Sequence, residues 1–254
     1  MQKLKQIYRA NYAGENIVTQ LNLVSGEWNP ETEFVPNSVT NTYTTGQAVA
    51  IGNGESRLGF DLQYIAKHQG GLLGANRLQS YGCNALYRDF TPDFLVATGD
   101  VIVDEIANSG YTTDNIVYST ADKVLEYPGK FYLIPQNVQF DAGAIAAYMA
   151  AFDGHKKVFL IGYDHYDTLS LTNNVYKDTN GYPTSDDTDN GEFFAVSLRD
   201  VITTYSDVEF VRVMTLDTHW VHSRITPLVN FRQIDYRDFV IEADIGILSV
   251  ATEN

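Results

Sequence analysis

The sequence predicts an α/β protein with a mainly parallel sheet, helices on both faces, an amino-terminal β-hairpin and a carboxyl-terminal covering segment. Two observations carry this prediction. From Gln47 onward, short apolar runs alternate with helix-like segments, which is typical of right-handed β–α–β units. Before that point, two stretches instead alternate apolar and polar side chains, as half-buried antiparallel strands do.

The amino-terminal 45 residues are predicted to form an appendage. Residues 4–12 and 17–24 alternate in polarity, and residues 13–16 between them (Ala-Gly-Glu-Asn) supply turn chemistry, so we expect a β-hairpin. Residues 25–45 are polar, contain Pro30 and Pro36, and are interpreted as a connector. The appendage would serve as a lid or edge of the main sheet, or as an oligomerisation arm.

Residues 46–216 are predicted to form a Rossmann-like nucleotide-binding domain. The segment 142–152 is apolar nearly all round, as expected for a helix packed between a sheet and its neighbours. Residues 164–190 form a long polar loop, and residues 217–254 a covering or contact segment. We expect strands at 48–51, 78–82, 94–98, 115–118, 131–134, 157–161 and 209–213, and helices at 60–68, 101–109, 142–152 and 193–205.

The turn after the first of these strands is the strongest functional signal. Gly52 and Gly54 permit a tight turn in which main-chain amides approach a phosphate, and a helix N-terminus would favour the anion. Asn53 could bond a ribose or a base, Ser56 could cap the helix, and Arg57 is placed to meet a phosphate. The alternative is an ordinary Gly-Asn-Gly turn.

The composition of the chain narrows the range of functions it can have. The net charge of −15, from 32 acidic and 17 basic side chains, disfavours general binding to nucleic acid or anionic membranes. The single cysteine, Cys83, excludes an intrachain disulfide and an intrachain thiolate metal site. There is no apolar run of 18 residues and no signal-peptide core at the N-terminus, so we expect a soluble cytoplasmic protein without a membrane span.

Four blocks, taken in order, resemble a known pattern. They are residues 51–56, residues 81–87 followed by 92–98, residues 141–143, and residues 157–166. The set resembles the small bacterial sialyltransferases that use CMP-sialic acid, and the 6-hydroxymethylpterin diphosphokinase-like proteins with a related Gly-Asn-Gly-Pro-Ser opening. Closely similar strings occur in uncharacterised marine bacteriophage proteins, which would place the chain in an infected bacterial cell.

The resemblance implies roles for individual residues. Asn53, Ser56 and Asn84 match positions that hold the donor nucleotide, and Gly143 matches a glycine beside its phosphate. Tyr166 matches a tyrosine near the leaving phosphate.

Asp164 would shape the turn or meet a ribose hydroxyl. The sequence also departs from the pattern: Glu55 replaces a proline, Ala142 replaces a serine, and no histidine occurs in residues 182–191. His165 or His222 is therefore our hypothesis for the base.

The sequence thus predicts a nucleotide-sugar-dependent glycosyltransferase, with a CMP-sugar donor and a glycan acceptor. A hypothesis from a different functional class is a non-catalytic phage protein with the same fold, either a binding protein or a virion-associated protein. A weaker hypothesis is a pterin diphosphokinase. Under each of these hypotheses the protein could be a homo-oligomer.

No metal site is predicted outright, although Asp186, Asp187 and Asp189 could hold Mg²⁺ or simply form a solvated acidic turn. His219 and His222 could form a metal pair, but an interface or surface pair is the alternative.

Overall fold

The computed structural model describes residues 3–7, 15–36, 46–69, 78–164, 174–182, 190–214 and 222–245. The amino-terminal residues form a small antiparallel sheet of β1 (Lys3–Ile7), β2 (Glu15–Val24) and β3 (Glu27–Pro36), in the order β1-β2-β3. The hairpin of β1 and β2 is confirmed. The connector interpretation is wrong for β3, where Pro30 and Pro36 are accepted because the strand lies at an edge of this sheet.

The main sheet has eight strands, and every described pairing within it is parallel. Its strands are β4 (Gln47–Ile51), β5 (Gln79–Cys83), β6 (Phe94–Val96), β7 (Val117–Ser119), β8 (Tyr132–Leu133), β9 (Lys157–Ile161), β10 (Glu209–Met214) and β11 (Phe231–Asp235). Their order is β11-β10-β9-β4-β5-β6-β7-β8. The predicted α/β fold with a mainly parallel sheet is confirmed.

Six α-helices occur in the described part of the chain. They are α1 (Gln63–Ala66), α2 (Asp100–Ser109), α3 (Ala121–Glu126), α4 (Ala142–Phe152), α5 (Asn190–Thr204) and α6 (Tyr236–Glu242). The helix expected at 60–68 is shorter, and the chain after the Gly-Asn-Gly turn first forms a 3₁₀ helix, Glu55–Gly59. None of these helices is long and apolar enough to cross a membrane.

Two apolar layers cover the two faces of the sheet. Along β4, Ala48 and Ala50 face the layer that contains α4 and α5, whereas Val49 and Ile51 face the layer that contains α2 and α6. This alternation follows from the two-residue repeat of a strand. Helix α4 is buried over nearly its whole length, as its apolar sequence predicts. With both faces covered, the ends of the strands are the natural place for a ligand.

The segments at the two ends of the chain have distinct places. Trp28 of β3 donates from Nε1 to Asp122 of α3 at 3.1 Å, and Leu21 packs with Ala121 and Leu133 beside β8. The described part of the carboxyl-terminal segment contributes β11, which extends the sheet beyond β10.

Candidate functional site

The connectivity of the sheet marks one position for a ligand. From β4 the chain adds β5, β6, β7 and β8 in one direction, and then returns to place β9 on the other side of β4. Crevices at the carboxyl ends of strands occur where the winding direction reverses in this way. A cavity of about 290 Å³ lies there. Its described lining is Gly52, Asn53, Gly54, Cys83, Asn84, Thr98, Gly99, Asp141, Ala142, Gly143, Gly162, Tyr163, Asp164, Asn174, Tyr182 and Phe194.

The main-chain amides of the Gly-Asn-Gly turn are used within the protein. The amide of Gly52 donates to the carbonyl of Ile161 at 2.8 Å, and that of Gly54 to the carbonyl of Gly162 at 2.9 Å. The amide of Ser56 donates to Oδ2 of Asp164 at 2.8 Å. These donors were expected to hold a phosphate. In the structure all three amides are instead engaged within the protein, and their hydrogen bonds close the turn against the end of β9.

The two glycines of the turn are required by packing. A Cβ atom added to Gly52 would lie 2.5 Å from the carbonyl oxygen of Gly162, and one added to Gly54 would lie 2.5 Å from Oδ2 of Asp164. Both distances are far shorter than a van der Waals contact permits. The glycines therefore allow the end of β4 to approach the end of β9 closely, which differs from the predicted approach to a phosphate.

Asp164 occupies the position at which the sequence predicts an external anion. Its side chain is fully buried, and its Oδ1 lies 3.4 Å from a guanidinium nitrogen of Arg212. Arg212 also donates to the carbonyl of Tyr163 at 3.0 Å and to Gln233 at 2.7 Å, which fixes it between β9 and β11. Asp164 thus organises the turn, as one of its two predicted roles requires, and supplies the negative charge from within the protein.

Asn53 lines the cavity and has a buried acceptor that makes no hydrogen bond in the described structure. Only 9% of the residue is exposed. Its Nδ2 lies 3.4 Å from the carbonyl oxygen of Cys83 and 3.4 Å from the hydroxyl of Tyr182. Because a carbonyl can only accept, Nδ2 faces Cys83, and Oδ1 faces the other way. That Oδ1 is shielded from solvent and has no hydrogen-bond partner in the described structure.

Asn84 joins the ends of two strands beside the cavity. Its backbone has a φ of 45°, which asparagine tolerates better than most residues. Its Oδ1 accepts a hydrogen bond from the amide of Thr98 at 3.0 Å, and this bond ties the end of β5 to the segment after β6. Both predicted nucleotide-binding asparagines, Asn53 and Asn84, therefore line one cavity.

Asp141 is a site residue to which the sequence analysis gave no role. It is the N-cap of α4, where its Oδ1 accepts from the amide of Ala144 at 3.0 Å. Its Oδ2 is shielded and has no hydrogen-bond partner among the described residues. Burial raises the pKa of Asp141 to about 6, against smaller opposing effects of the amides of Ala144 and Gly143 and of the Ser197 hydroxyl. At neutral pH this lining residue is thus mostly an ionised carboxylate, with one buried oxygen that makes no hydrogen bond in the described structure. An Asp before a small-residue helix signals an N-cap, but that pattern does not reveal the second oxygen.

The other titratable groups beside Asp141 stay neutral. Burial, together with the nearby Asp141 charge, raises the pKa of the Cys83 thiol to about 12. The same two causes, with Cys83 adding to them, raise the pKa of Tyr163 well above its ordinary value, and its hydroxyl donates to the carbonyl of Gly143 at 2.7 Å. The described lining contains Asp141 and Asp164 but no lysine, arginine or histidine. Its charge is therefore negative.

Arg57, predicted to meet a phosphate, is a structural residue. It is 2% exposed and does not line the cavity. Its guanidinium donates to Asp89 at 3.0 Å and to the hydroxyl of Tyr176 at 3.0 Å. The neighbouring Glu55 stands where the proteins of the resemblance have a proline. Its carboxylate lies 2.5 Å from Nζ of Lys177, and this ion pair compensates its negative charge.

His222 does not reach the cavity either. It is buried, its Nε2 lies 3.1 Å from Glu192, and its Nδ1 accepts from the amide of Arg224 at 3.2 Å. With both ring nitrogens engaged, His222 does not support the hypothesis of a catalytic base. The other predicted catalytic residues, His165 and Tyr166, lie outside the described residues.

No metal site is found in the described part of the chain. Within it, no group of three or more His, Cys, Asp or Glu side chains is arranged to hold a metal ion. The positions considered for Mg²⁺, Asp186, Asp187 and Asp189, lie outside the described residues, as does His219.

Comparison with known proteins adds no family to this description. No protein-family model, no curated protein and no solved structure matches the chain.

Proposed function

We propose that the protein is a glycosyltransferase that takes a sugar from a nucleotide-sugar donor, of the CMP-sugar kind, and transfers it to a hydroxyl of a glycan acceptor. One observation carries the proposal. Asp141, the N-cap of α4, lines a cavity at the reversal point of a parallel sheet, with two asparagines on the same lining. Parallel α/β sheets bind ligands at this point, and glycosyl transfer requires a group that can accept the proton of the attacking hydroxyl.

The lining can hold the parts of such a donor. Asn53 lies on the lining, and Asn84 has an amide nitrogen beyond the oxygen that bonds Thr98. Phe194 of α5 is 39% exposed and lies on the cavity lining. An exposed ring there can stack on a pyrimidine base or on the apolar face of a sugar. The asparagines would orient the ligand, and the ring would supply contact area.

In this proposal the base is Asp141 in place of His165 or His222. The acceptor hydroxyl bonds to the anomeric carbon while its proton passes to the carboxylate of Asp141. At the same time the bond from that carbon to the donor phosphate breaks, and the nucleotide leaves with the electron pair. A carboxyl pKa of about 6 suits this role, because the group is ionised at neutral pH yet basic enough to hold the proton.

Release of free nucleotide tests the proposal. The purified protein would be incubated with CMP-, UDP- and GDP-sugars, with and without a panel of oligosaccharide acceptors. We expect release from one donor class that is faster with acceptor and is lost in Asp141→Asn. A matched control is Asp235→Asn, the same chemical change at the N-cap of α6, away from the cavity. Absence of release with every donor, or equal release by Asp141→Asn and the unmodified protein, would contradict transfer.

One observation favours a second candidate, a non-catalytic binding protein. The carboxylate of Asp164 accepts from the main-chain amide of Ser56, at the turn where the phosphate of the donor nucleotide was expected. A protein that retains the cavity but not the phosphate cradle could bind a sugar or nucleoside without turnover. Binding of a donor by calorimetry, with no nucleotide released over hours, would support this candidate over the transferase.

A further inference from the structure

We infer that Asn174, together with Asn84, selects the ligand of the cavity by donating hydrogen bonds to acceptor atoms of that ligand. The sequence analysis gave Asn174 no role. The inference rests on the proposed function in taking this cavity as the site of the nucleotide donor. It names the atoms that the bound part of the donor presents to the two asparagines: carbonyl oxygens or a ring nitrogen of the nucleobase, or oxygens of the phosphate.

Asn174 is held beside the Gly-Asn-Gly turn by two hydrogen bonds. The amide of Val175, the next residue, donates to the carbonyl of Asn53 at 2.8 Å and ties the backbone to the turn. The amide of Tyr176 donates to Oδ1 of Asn174 at 2.9 Å and fixes the side chain. Asn174 is half-buried on the lining of the cavity. Its position there is therefore set by the fold before any ligand binds.

The side-chain nitrogen of Asn174 is a donor that a ligand can reach. Because a main-chain amide can only donate, the atom on the amide of Tyr176 is the oxygen, and Nδ2 is directed away from it. Nδ2 makes no hydrogen bond within the described residues, and it is not among the side-chain atoms that are shielded from solvent. Asn174 thus offers a donor of fixed direction.

Asn84 has the same arrangement at the end of β5. Its Oδ1 accepts from the amide of Thr98, so its Nδ2 is directed away from that amide, and this nitrogen is also open to solvent and without a partner in the described part of the chain. Asn53 differs, because its Nδ2 faces the carbonyl of Cys83 and its Oδ1 is shielded. Among the asparagines of the described lining, the side-chain atoms that a ligand can reach and that have no partner are therefore both donors.

Two amide donors favour a group that carries acceptors. A pyrimidine nucleobase carries carbonyl oxygens, and cytosine also a ring nitrogen that accepts, whereas a phosphate carries oxygens only. A hydroxyl both donates and accepts, so this pair of asparagines does not select a neutral saccharide. The cavity, of about 290 Å³, is at the small end of the range for ligand sites, so one bound group lies near both asparagines. Separate probes identify which of the two acceptor groups it is.

Asn174→Asp reverses the polarity of the reachable atom with little change of shape. Aspartate forms the same turn, with one oxygen on the amide of Tyr176, and its second oxygen replaces Nδ2 by an acceptor with a negative charge. A ligand that presents acceptors loses affinity in this variant, whereas a ligand that presents donors gains it. Asn174→Ser is a second variant at this position, because its hydroxyl can still accept from Tyr176 but the amide donor is gone.

The experiment is calorimetric titration at pH 7.5 of the unmodified protein, Asn174→Asp, Asn174→Ser and Asn84→Asp. The matched control is Asn137→Asp, since Oδ1 of Asn137 accepts from the amide of Ala121 at 2.9 Å outside the described lining. The probes are cytidine, uridine, their 5′-monophosphates and inorganic phosphate. We expect at least one probe to bind, and its affinity to fall about 10-fold or more in the three cavity variants but not in Asn137→Asp. Urea denaturation verifies that each variant is folded.

A loss of affinity for cytidine or uridine assigns the contact to the nucleobase, and a loss confined to the monophosphates and inorganic phosphate assigns it to the phosphate. The inference is overturned if no probe binds, or if folded Asn174→Asp binds every probe as the unmodified protein does or binds any of them more tightly. The proposed function fails separately, if the probes bind in the expected way but nucleotide is released from no donor. Conversely, release with the same KM for the donor in Asn174→Asp and the unmodified protein would overturn the inference alone.

Discussion

Replacing Asp141 by asparagine is expected to stabilise the protein at neutral pH. In the folded protein burial raises the pKa of this carboxyl from an ordinary value of 3.8 to about 6. Between these two values the folded state holds a proton that the unfolded state has lost. Stability therefore falls as pH rises from about 4 to 6, and the loss persists above that range. A pKa difference of about two corresponds to about 3 kcal/mol, which is an upper limit because the cavity admits some water.

Asparagine has no such proton to lose, and it preserves the cap on Ala144. Near pH 4 the two proteins should be similar, whereas at pH 7.5 Asp141→Asn should be more stable by up to about 3 kcal/mol. For a chain of this size that gain raises Tm by about 6 to 12 °C. Urea denaturation at half-unit intervals from pH 4 to 7.5 measures the difference directly.

The titratable groups beside Asp141 do not contribute to the pH dependence of stability in this range. Cys83 and Tyr163 keep their protons throughout the range, because their pKa values are raised to about 12 and well above 10, respectively. Asp235→Asn serves as the control for removing a charge at a helix N-cap. A stability difference that is constant from pH 4 to 7.5 would refute the reasoning, as would a less stable Asp141→Asn at pH 7.5.

Two further predictions concern the turn that joins β4 to β9. Gly54→Ala should destabilise the protein by several kcal/mol in urea denaturation, because the added Cβ would lie 2.5 Å from Oδ2 of Asp164. In the control variant Gly99→Ala the nearest atom is 4.0 Å from the added Cβ, so the free energy of unfolding should fall by about 1 kcal/mol or less. Equal costs would show that the close approach is unimportant. Asp164→Ala removes the carboxylate that faces Ser56 and Arg212, so it should cost about 3 kcal/mol. Inorganic phosphate should raise the Tm of this variant more than that of the unmodified protein, and an equal response of the two proteins would contradict the role assigned to Asp164.

The sequence predicts the central strands well because they are buried on both faces. Residues 157–161 form β9 with the predicted limits, and the four buried residues of β4, Ala48–Ile51, are apolar without interruption. The edge strands β3 and β11 escape prediction because exposed edges do not need apolar runs. β11, for example, has Arg232 and Gln233 in its central part, and among the described strands it pairs only with β10.

The position of the candidate site was easier to predict than its chemistry. The turn after the first strand of the main sheet lies at a cavity, and Asn53 and Asn84 both line it. Whether its amides are available depends on Asp164, which lies 108 residues from Ser56 in the chain and meets it only in the fold. In the same way, an Asp before a helix predicts a cap, but the burial of one oxygen of Asp141 depends on the packing of β5, β9 and α5. Local patterns do not contain such long-range contacts.

A crystal structure of the protein with a bound nucleotide or nucleotide-sugar would test the account most directly. We predict that the ligand lies in the cavity against Asp141 and Asn53, with its phosphate away from the main-chain amides of residues 52–56. A phosphate bound to the main-chain amides of residues 52–56, with Asp164 displaced, would contradict it.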